Sequence, residues 1–331
     1  MRETKELPVL TDTFESAKDF KPLENSIYIF ASTGELRASH IESWRSSIQG
    51  VKLCEICYET QSSFQLKGDS SFISLRSEIE IRALWNDAAP GVKIYLDITG
   101  LTHSVWAGIL KAAISAKLEV LAVYVEPDMY SRSSAPVEGQ IYDLSASIQG
   151  ISPLPGFATL SSRNSEKFTF VPLLGFEGPR LRYIVEQIQP GYENITPIVG
   201  SPGFKPWYVF ETYIGNKGAL TETEAWQAVR YAPANCPFSC FYLLEEIAAD
   251  SVGRSLKIAL IGTKPHALGA VLFTLSNSIP VELVHDHPIR KAGRTGGTAR
   301  LLVYHVSALF DEASAVFSKR PVNRPRRSIN P

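Results

Sequence analysis

The sequence predicts an α/β protein of two tandem Rossmann-like halves, each a parallel sheet with flanking helices, related by an internal repeat. Three observations predict it. Strand, glycine turn and helix succeed one another twice, in "KIYLDITGLTHSVWAGIL" and in "KIALIGTKPHALGAVLF". Setting Gly100 opposite Gly262 lays "ITGLTHSVWAGIL" over "LIGTKPHALGAVL" without a gap, and at that offset of 162 residues "EVLAVYVEP" falls near "PVELVHDHP". The opening strands also correspond, "IYIFASTGE" over "FTFVPLLGF", with Gly34 opposite Gly175.

The elements follow in order. "SIYIFASTGE" is a buried strand that ends in a small-residue turn around Thr33 and Gly34. "ASHIESWRSSI" and "FISLRSEIEIRALW" have helical periodicity, with "VKLCEICYE" as a strand between them. "GVKIYLDITGLTHSVWAGILKAAISAKLEVLAVYVEP" is a βαβ unit, and the first half closes with it, over 1–130. Residues 131–166 are dense in Ser, Pro and Gly and form a connector. The second half, 167–310, opens on "KFTFVPLLGFEGPRLRYIVEQIQPG", where Pro179 suits a first helical turn because its missing N–H would have no partner there. "GSPGFKPWYVFETYIGNKG" is insertion-like, Thr221 and Glu224 stand at capping-box spacing, and "CPFSCFYLLEEIAAD" is a further helix. Residues 311–331 form a basic tail containing Lys319, Arg320, Arg324, Arg326 and Arg327.

With 33 basic against 34 acidic residues and 44% hydrophobic residues among 331, the chain has a globular composition and no large global field. A nucleic acid is expected to engage the basic tail, if any part. No run approaches a membrane span, the N-terminus lacks a secretory h-region, and four cysteines are sparse for a disulfide framework, so a cytoplasmic protein without membrane contact is expected.

In parallel sheets ligands bind outside the carboxyl ends of the strands, and a helix start there offers free N–H groups to an anion. Both glycine turns lie at such ends. Thr33, Gly34, Thr99, Gly100, Thr102, His103 and Ser104 in the first half, and Gly175, Gly262, Thr263, Lys264 and His266 in the second, make candidates for an anionic ligand. The structural alternative is that each turn merely reverses the chain and each Thr caps a helix. Lys264 fits that alternative less well, since a cation at a helix start opposes the dipole. Arg180 lies at another helix start, and "HDHPIRKAGRTGGTAR", with Arg290 and Arg294, suits a loop over phosphates or simply a solvated basic loop. His285 and His287 share a face whether or not a metal is bound, and Cys54/Cys57 and Cys236/Cys240 are expected to be small hydrophobes; neither a metal nor a cofactor is expected. The cluster Phe204, Trp207, Tyr208 and Phe210 either stacks a base or covers its own sheet.

"LDITGLTH" and "ALIGTKPHALG" resemble the turn of CRISPR-associated Rossmann-fold (CARF) domains, a strand and Asp or Asn before Thr-Gly-Gly-Thr-Lys, with "FASTGE" and "PLLGFEG" in the place of that family's other ligand-side loop. The tandem halves resemble the related SAVED arrangement. The resemblance implies a sensor of cyclic oligonucleotide or a related nucleotide signal in anti-phage defence, acting with a partner effector subunit. The chain departs from the motif: Leu101 and Thr102 stand where Thr and Lys are typical, and Gly262 is not doubled. Two other functions stay open: a phosphodiesterase or nucleotide hydrolase in the same cleft, with His266 or His285 as acid/base and Lys264 on the phosphoryl charge, and a non-catalytic structural subunit of a defence complex.

Overall fold

The protein was analysed as a computed structural model, which describes residues 10–137, 139–158, 167–277 and 279–311. The basic tail beyond 311 and part of the Ser/Pro/Gly-rich connector lie outside the described residues.

The fold is mixed α/β, with parallel strands at the centre of two sheets. The first sheet uses β1 (Thr11–Phe14), β2 (Ser26–Phe30), β3 (Val51–Glu59), β4 (Ser63–Leu66), β5 (Phe72–Ser74), β6 (Lys93–Asp97) and β7 (Glu119–Val125). The second uses β8 (Ser152–Pro153), β9 (Phe168–Leu173), β10 (Ile198–Gly200), β11 (Arg230–Ala232), β12 (Ser255–Leu260) and β13 (Val281–His285). β14 (Leu301–Tyr304) returns to the first sheet. The orders are β1-β14-β7-β6-β2-β3-β4-β5 and β8-β13-β12-β9-β10-β11. Pairing is parallel from β7 through β6 and β2 to β3, and from β13 through β12, β9 and β10 to β11.

Among the described residues six α-helices complete the layers: α1 (Glu78–Arg82), α2 (His103–Ser115), α3 (Gly178–Ile188), α4 (Tyr208–Glu222), α5 (Pro237–Asp250) and α6 (Lys264–Ser276). The apolar repeats of α2 and α6 bury nearly every side chain, because both helices are enclosed by protein. Trp106 and Ile109 of α2 and Leu268, Val271 and Phe273 of α6 belong to one continuous core. Fully burying side chains of this size stabilises by about 1.5–3 kcal/mol each. That shared core holds the carboxyl ends of both sheets side by side. No helix among the described residues is long and apolar enough to cross a membrane.

In each sheet the strand order reverses beside its first parallel strand, between β2 and β6 and between β9 and β12. The glycine turns meet there. A Cβ on Gly100 would lie 2.1 Å from the Ala31 carbonyl oxygen, and one on Gly175 would lie 2.5 Å from that of Ile261. These glycines serve close backbone approach; none of Gly34, Gly100, Gly175 and Gly262 is among the positive-φ residues, so the left-handed conformation a turn glycine often supplies is not used here.

Several sequence expectations need correction. "ASHIESWRSSI" forms no α-helix but one 3-10 turn, His40–Ser43, preceded by another at Leu36–Ala38, and "FISLRSEIEIRALW" divides into β5 and the single-turn α1. The capping-box reading at Thr221 fails because α4 runs through that residue and ends there, with Glu224 left-handed at φ 55°. The expected connector contributes edge strands: β8 pairs with β13, and Ser145–Ile148 pairs with Pro288–Arg290. Edge pairing needs no hydrophobic period, which explains why its composition concealed it. β14, from the stretch read as second half, pairs antiparallel with β7 in the first sheet.

Candidate functional site

The carboxyl ends of the two sheets enclose a cleft of about 490 Å³, lined from both sides. Thr102, His103, Tyr124 and Tyr130 come from the first sheet's side; Gly175, Phe176, Arg180, Tyr208, Gly262, Lys264 and His285 come from the second, with Arg290 and Arg294 on the following segment.

The turn 98–101 is fixed from within. Asp97 accepts from the Thr99 N–H at 2.8 Å, and its other oxygen accepts from the Tyr28 hydroxyl at 3.1 Å, next to buried His40. Thr99 Oγ1 in turn accepts from the Val125 N–H. The turn's carbonyls are thereby presented to the opposite sheet. Lys264 Nζ donates to Ile98, Thr99 and Leu101 at 2.5, 2.6 and 2.7 Å, and the Arg290 fork donates to Gly100 at 2.5 Å and Leu101 at 2.7 Å. Two cations from one side hold four consecutive carbonyls of the other. The carbonyls, rather than an anion, answer the Lys264 charge at the start of α6.

Neither cation has a carboxylate partner among the described residues. Burial, then the neighbouring Arg290, Arg37 and Arg294, depress the Lys264 ammonium far below its ordinary value. Burial and Arg294 lower Arg290 to about 10, against the pull of Glu59 and Glu35. The other cations are answered. Arg180 forks onto Asp286 at 2.7 and 2.6 Å, and Arg37 and Arg294 share Glu35, each at 2.7 Å. Burial would raise the Asp286 carboxyl, but the Arg180 fork outweighs it and holds the group below its ordinary value.

Three histidines meet across the cleft, His103 from the first sheet's side and His285 and His287 from the second's. The rings of His103 and His285 are 4.7 Å apart, and those of His285 and His287 are 4.8 Å apart. His103 Nε2 and His285 Nδ1 are buried with no hydrogen-bond partner. Burial, and then surrounding cations, keep both rings neutral: His285 is lowered to about 3, despite Asp286, and His103 lies well below its usual value. The sign follows from linkage. The unfolded chain takes up protons below about 6.5, where folded His285 does not until about 3, so acid favours unfolding across that window. The melting temperature should therefore fall as pH drops from about 6.5 towards about 4, and His285→Gln should flatten the fall. A pH-independent melting temperature in the unsubstituted protein would contradict this assignment.

At the other end of the cleft the lining is aromatic. Phe176 packs edge-on against Tyr130 and Tyr208, at 5.3 and 5.0 Å, and its second face stacks on Tyr142 at 4.4 Å. Phe204 lies 6.1 Å from Tyr124.

The cleft brings together Thr102, His103, Gly175, Arg180, Gly262, Thr263, Lys264, Arg290 and Arg294 from the sequence candidates. It leaves others aside. Thr33 and Gly34 are exposed and outside the lining, because the chain leaves β2 four residues before Gly34 and Ala31 makes the close contact instead. Thr99 is consumed by its own turn, and Gly100 offers only a carbonyl that Arg290 already holds. His266 is fully buried behind the cleft with Nε2 on the Pro233 carbonyl, and burial lowers it to about 4. Thr263 Oγ1 caps its own helix at His266 N and donates to Ala234. Of the aromatic cluster, Phe204 and Tyr208 face the cleft, while Trp207 and Phe210 are exposed. Cys54 and Cys240 are buried, Cys57 is exposed, Cys236 Sγ caps α5 through Ser239 N, and no cluster suited to a metal occurs among the described residues. The basic loop is pinned at both ends, by Pro288–Arg290 on Ser145–Ile148 and by Thr295–Gly296 on Met129–Tyr130.

Sequence reading missed Arg37, Glu35, Glu59, Tyr124, Tyr130 and Phe176. Glu59 ends a strand and Phe176 merely follows a singled-out glycine, positions whose residue types carry no signal until the sheets are assembled. No protein-family model matches the chain, and no curated protein matches it in sequence.

Proposed function

We propose that the cleft binds a nucleotide or another phosphorylated small molecule, with the anion at Arg290 beside Lys264 and the base among Phe176, Tyr208 and Tyr130. One observation carries this: buried Lys264 and half-buried Arg290 lie side by side in an open cleft, with carbonyl partners and no carboxylate partner among the described residues. Uncompensated buried charge is costly, and an anion would relieve it. Arg290 uses one N–H on each terminal nitrogen for the carbonyls, which leaves further donors for a phosphate. The shared strand order of the two sheets supports their being halves of an internal repeat, and the turn motifs support a CARF- or SAVED-like sensor of a nucleotide signal in anti-phage defence. Exposed Trp207, Phe210 and Ile214 on and beside α4 support a partner effector subunit.

Mass spectrometry of small molecules released from the purified protein, followed by calorimetric titration of whatever is found, tests the reading. Arg290→Ala should weaken the bound ligand by roughly tenfold to a hundredfold, the worth of one or two charge-assisted hydrogen bonds. Unchanged affinity would remove the anion from this end of the cleft.

A second reading is favoured by the partnerless His103 and His285 nitrogens beside Arg290 and Arg180: phosphodiester hydrolysis, in which the charge of a bound anion would raise the depressed imidazoles towards the range a general base needs. His266 no longer serves that role. Cleavage of a bound cyclic nucleotide, lost in His285→Ala with binding retained, would distinguish hydrolysis from sensing.

A further inference from the structure

We propose that the cleft has one anionic pole, accepting a ligand with a single phosphate group beside a base and rejecting two-fold symmetric ligands that bring a phosphate to each sheet, with Glu59 setting the choice. The inference rests on the reading of the cleft as a nucleotide site.

The donors that would hold a second phosphate are already occupied by the chain's own carboxylates. At the start of α2, the counterpart of the Lys264 end of α6, the Thr102 N–H and hydroxyl both donate to Glu59 Oε2, at 2.8 and 2.5 Å. Glu59 lines the cleft, so a phosphate at that helix start would lose these donors and face a like charge at contact distance. A second donor set is filled likewise: the Leu144 and Ser145 N–H groups donate to Glu177 Oε1 at 2.8 Å, and the Ser145 hydroxyl donates to Glu177 Oε2 at 2.8 Å. Arg180 is neutralised by Asp286, and Arg37 and Arg294 share Glu35. What remains is one cationic group at the turn 98–101, in which Arg290 keeps free donors beside Lys264 and beside Arg294, which shares the single Glu35 carboxylate with Arg37. The buried, partnerless His103 Nε2 and His285 Nδ1 lie at that end of the cleft.

3′,5′-Cyclic adenosine monophosphate and cyclic di-adenosine monophosphate present the same base and the same singly charged phosphodiester, once in the mononucleotide and twice in the dinucleotide, so calorimetric titration of each into the full chain compares one anionic pole with two. The native protein should bind the mononucleotide at least about tenfold more tightly than the cyclic dinucleotide, although non-specific attraction would favour the latter. Glu59→Gln keeps an acceptor for Thr102 and removes the charge. Because Glu59 also influences Arg290, the quantity to compare is the ratio of the two affinities, which should move towards the dinucleotide by about tenfold or more. A native protein that binds the dinucleotide as tightly as the mononucleotide overturns the single pole and leaves the nucleotide site standing. An unmoved ratio in Glu59→Gln overturns the role of Glu59. Binding of neither ligand, with Arg290→Ala indistinguishable from native, overturns the nucleotide reading and the inference with it. The native ranking requires no substitution, so the test survives a variant that does not fold.

Discussion

Lys264→Met is expected to lose both anion binding and a large share of the stability that joins the two sheets. Methionine fills a similar volume without donors, so the Ile98, Thr99 and Leu101 carbonyls would lose their buried partner together. A buried acceptor left unsatisfied costs about 1–3 kcal/mol, partly offset here by no longer burying a charge, so a net loss of roughly 2–4 kcal/mol is expected. For a chain of this size that amounts to a fall in melting temperature of roughly 3–6 °C. Calorimetry of the unliganded variant separates this from any ligand effect. A melting temperature within about 2 °C of the native protein would show that the ammonium contributes nothing net to the seam.

Arg180→Ala is expected to be at least as damaging, for a different reason. Asp286 is completely buried, and the Arg180 fork is its main compensation. Removing one partner of a buried pair costs about 3–5 kcal/mol, because a charge is stranded. The double variant Arg180→Met with Asp286→Asn should recover most of that loss, since it removes the stranded charge as well as the partner. If Arg180→Ala unfolds at the native denaturant midpoint, the pair is not a structural element and Arg180 returns as a candidate for direct ligand contact.

Both substitutions test residues with two roles. The cations of the cleft hold its walls whether or not an anion binds there, so affinity and stability are measured separately for each variant. Arg290 is the cleaner probe of binding, because its carbonyl contacts leave donors unused.

Much of the architecture was legible in the chain. Buried strands such as "SIYIF" and "KIALI" announce themselves by unbroken apolar runs, and the turns after β6 and β12 by glycine followed by a Thr-led helix start. Those signals are local, so β2, β6, α2, β7, β9, α3, α5, β12, α6 and β13 were found. The short strands of 131–158 were not, because edge pairing is decided by a partner far along the chain. Likewise Gly100 and Gly175 were recognised as required, but the requirement is contact with Ala31 and Ile261, which only the assembled sheet reveals.

The site divides the same way. Sequence alone placed Gly262, Thr263, Lys264, His103 and Arg290 at the carboxyl ends of strands, because that placement follows from the strand–turn–helix order. Which of them face the cleft, and which are claimed by other parts of the chain, was decided by tertiary structure. Lys264 reaches across to three carbonyls more than 160 residues earlier, Thr102 gives its donors to Glu59, and Arg180 is claimed by Asp286. The spacing of residues along one element determines its period and its ends, whereas the partner that satisfies a buried charge or amide is chosen by whatever the fold brings within about 3 Å of it.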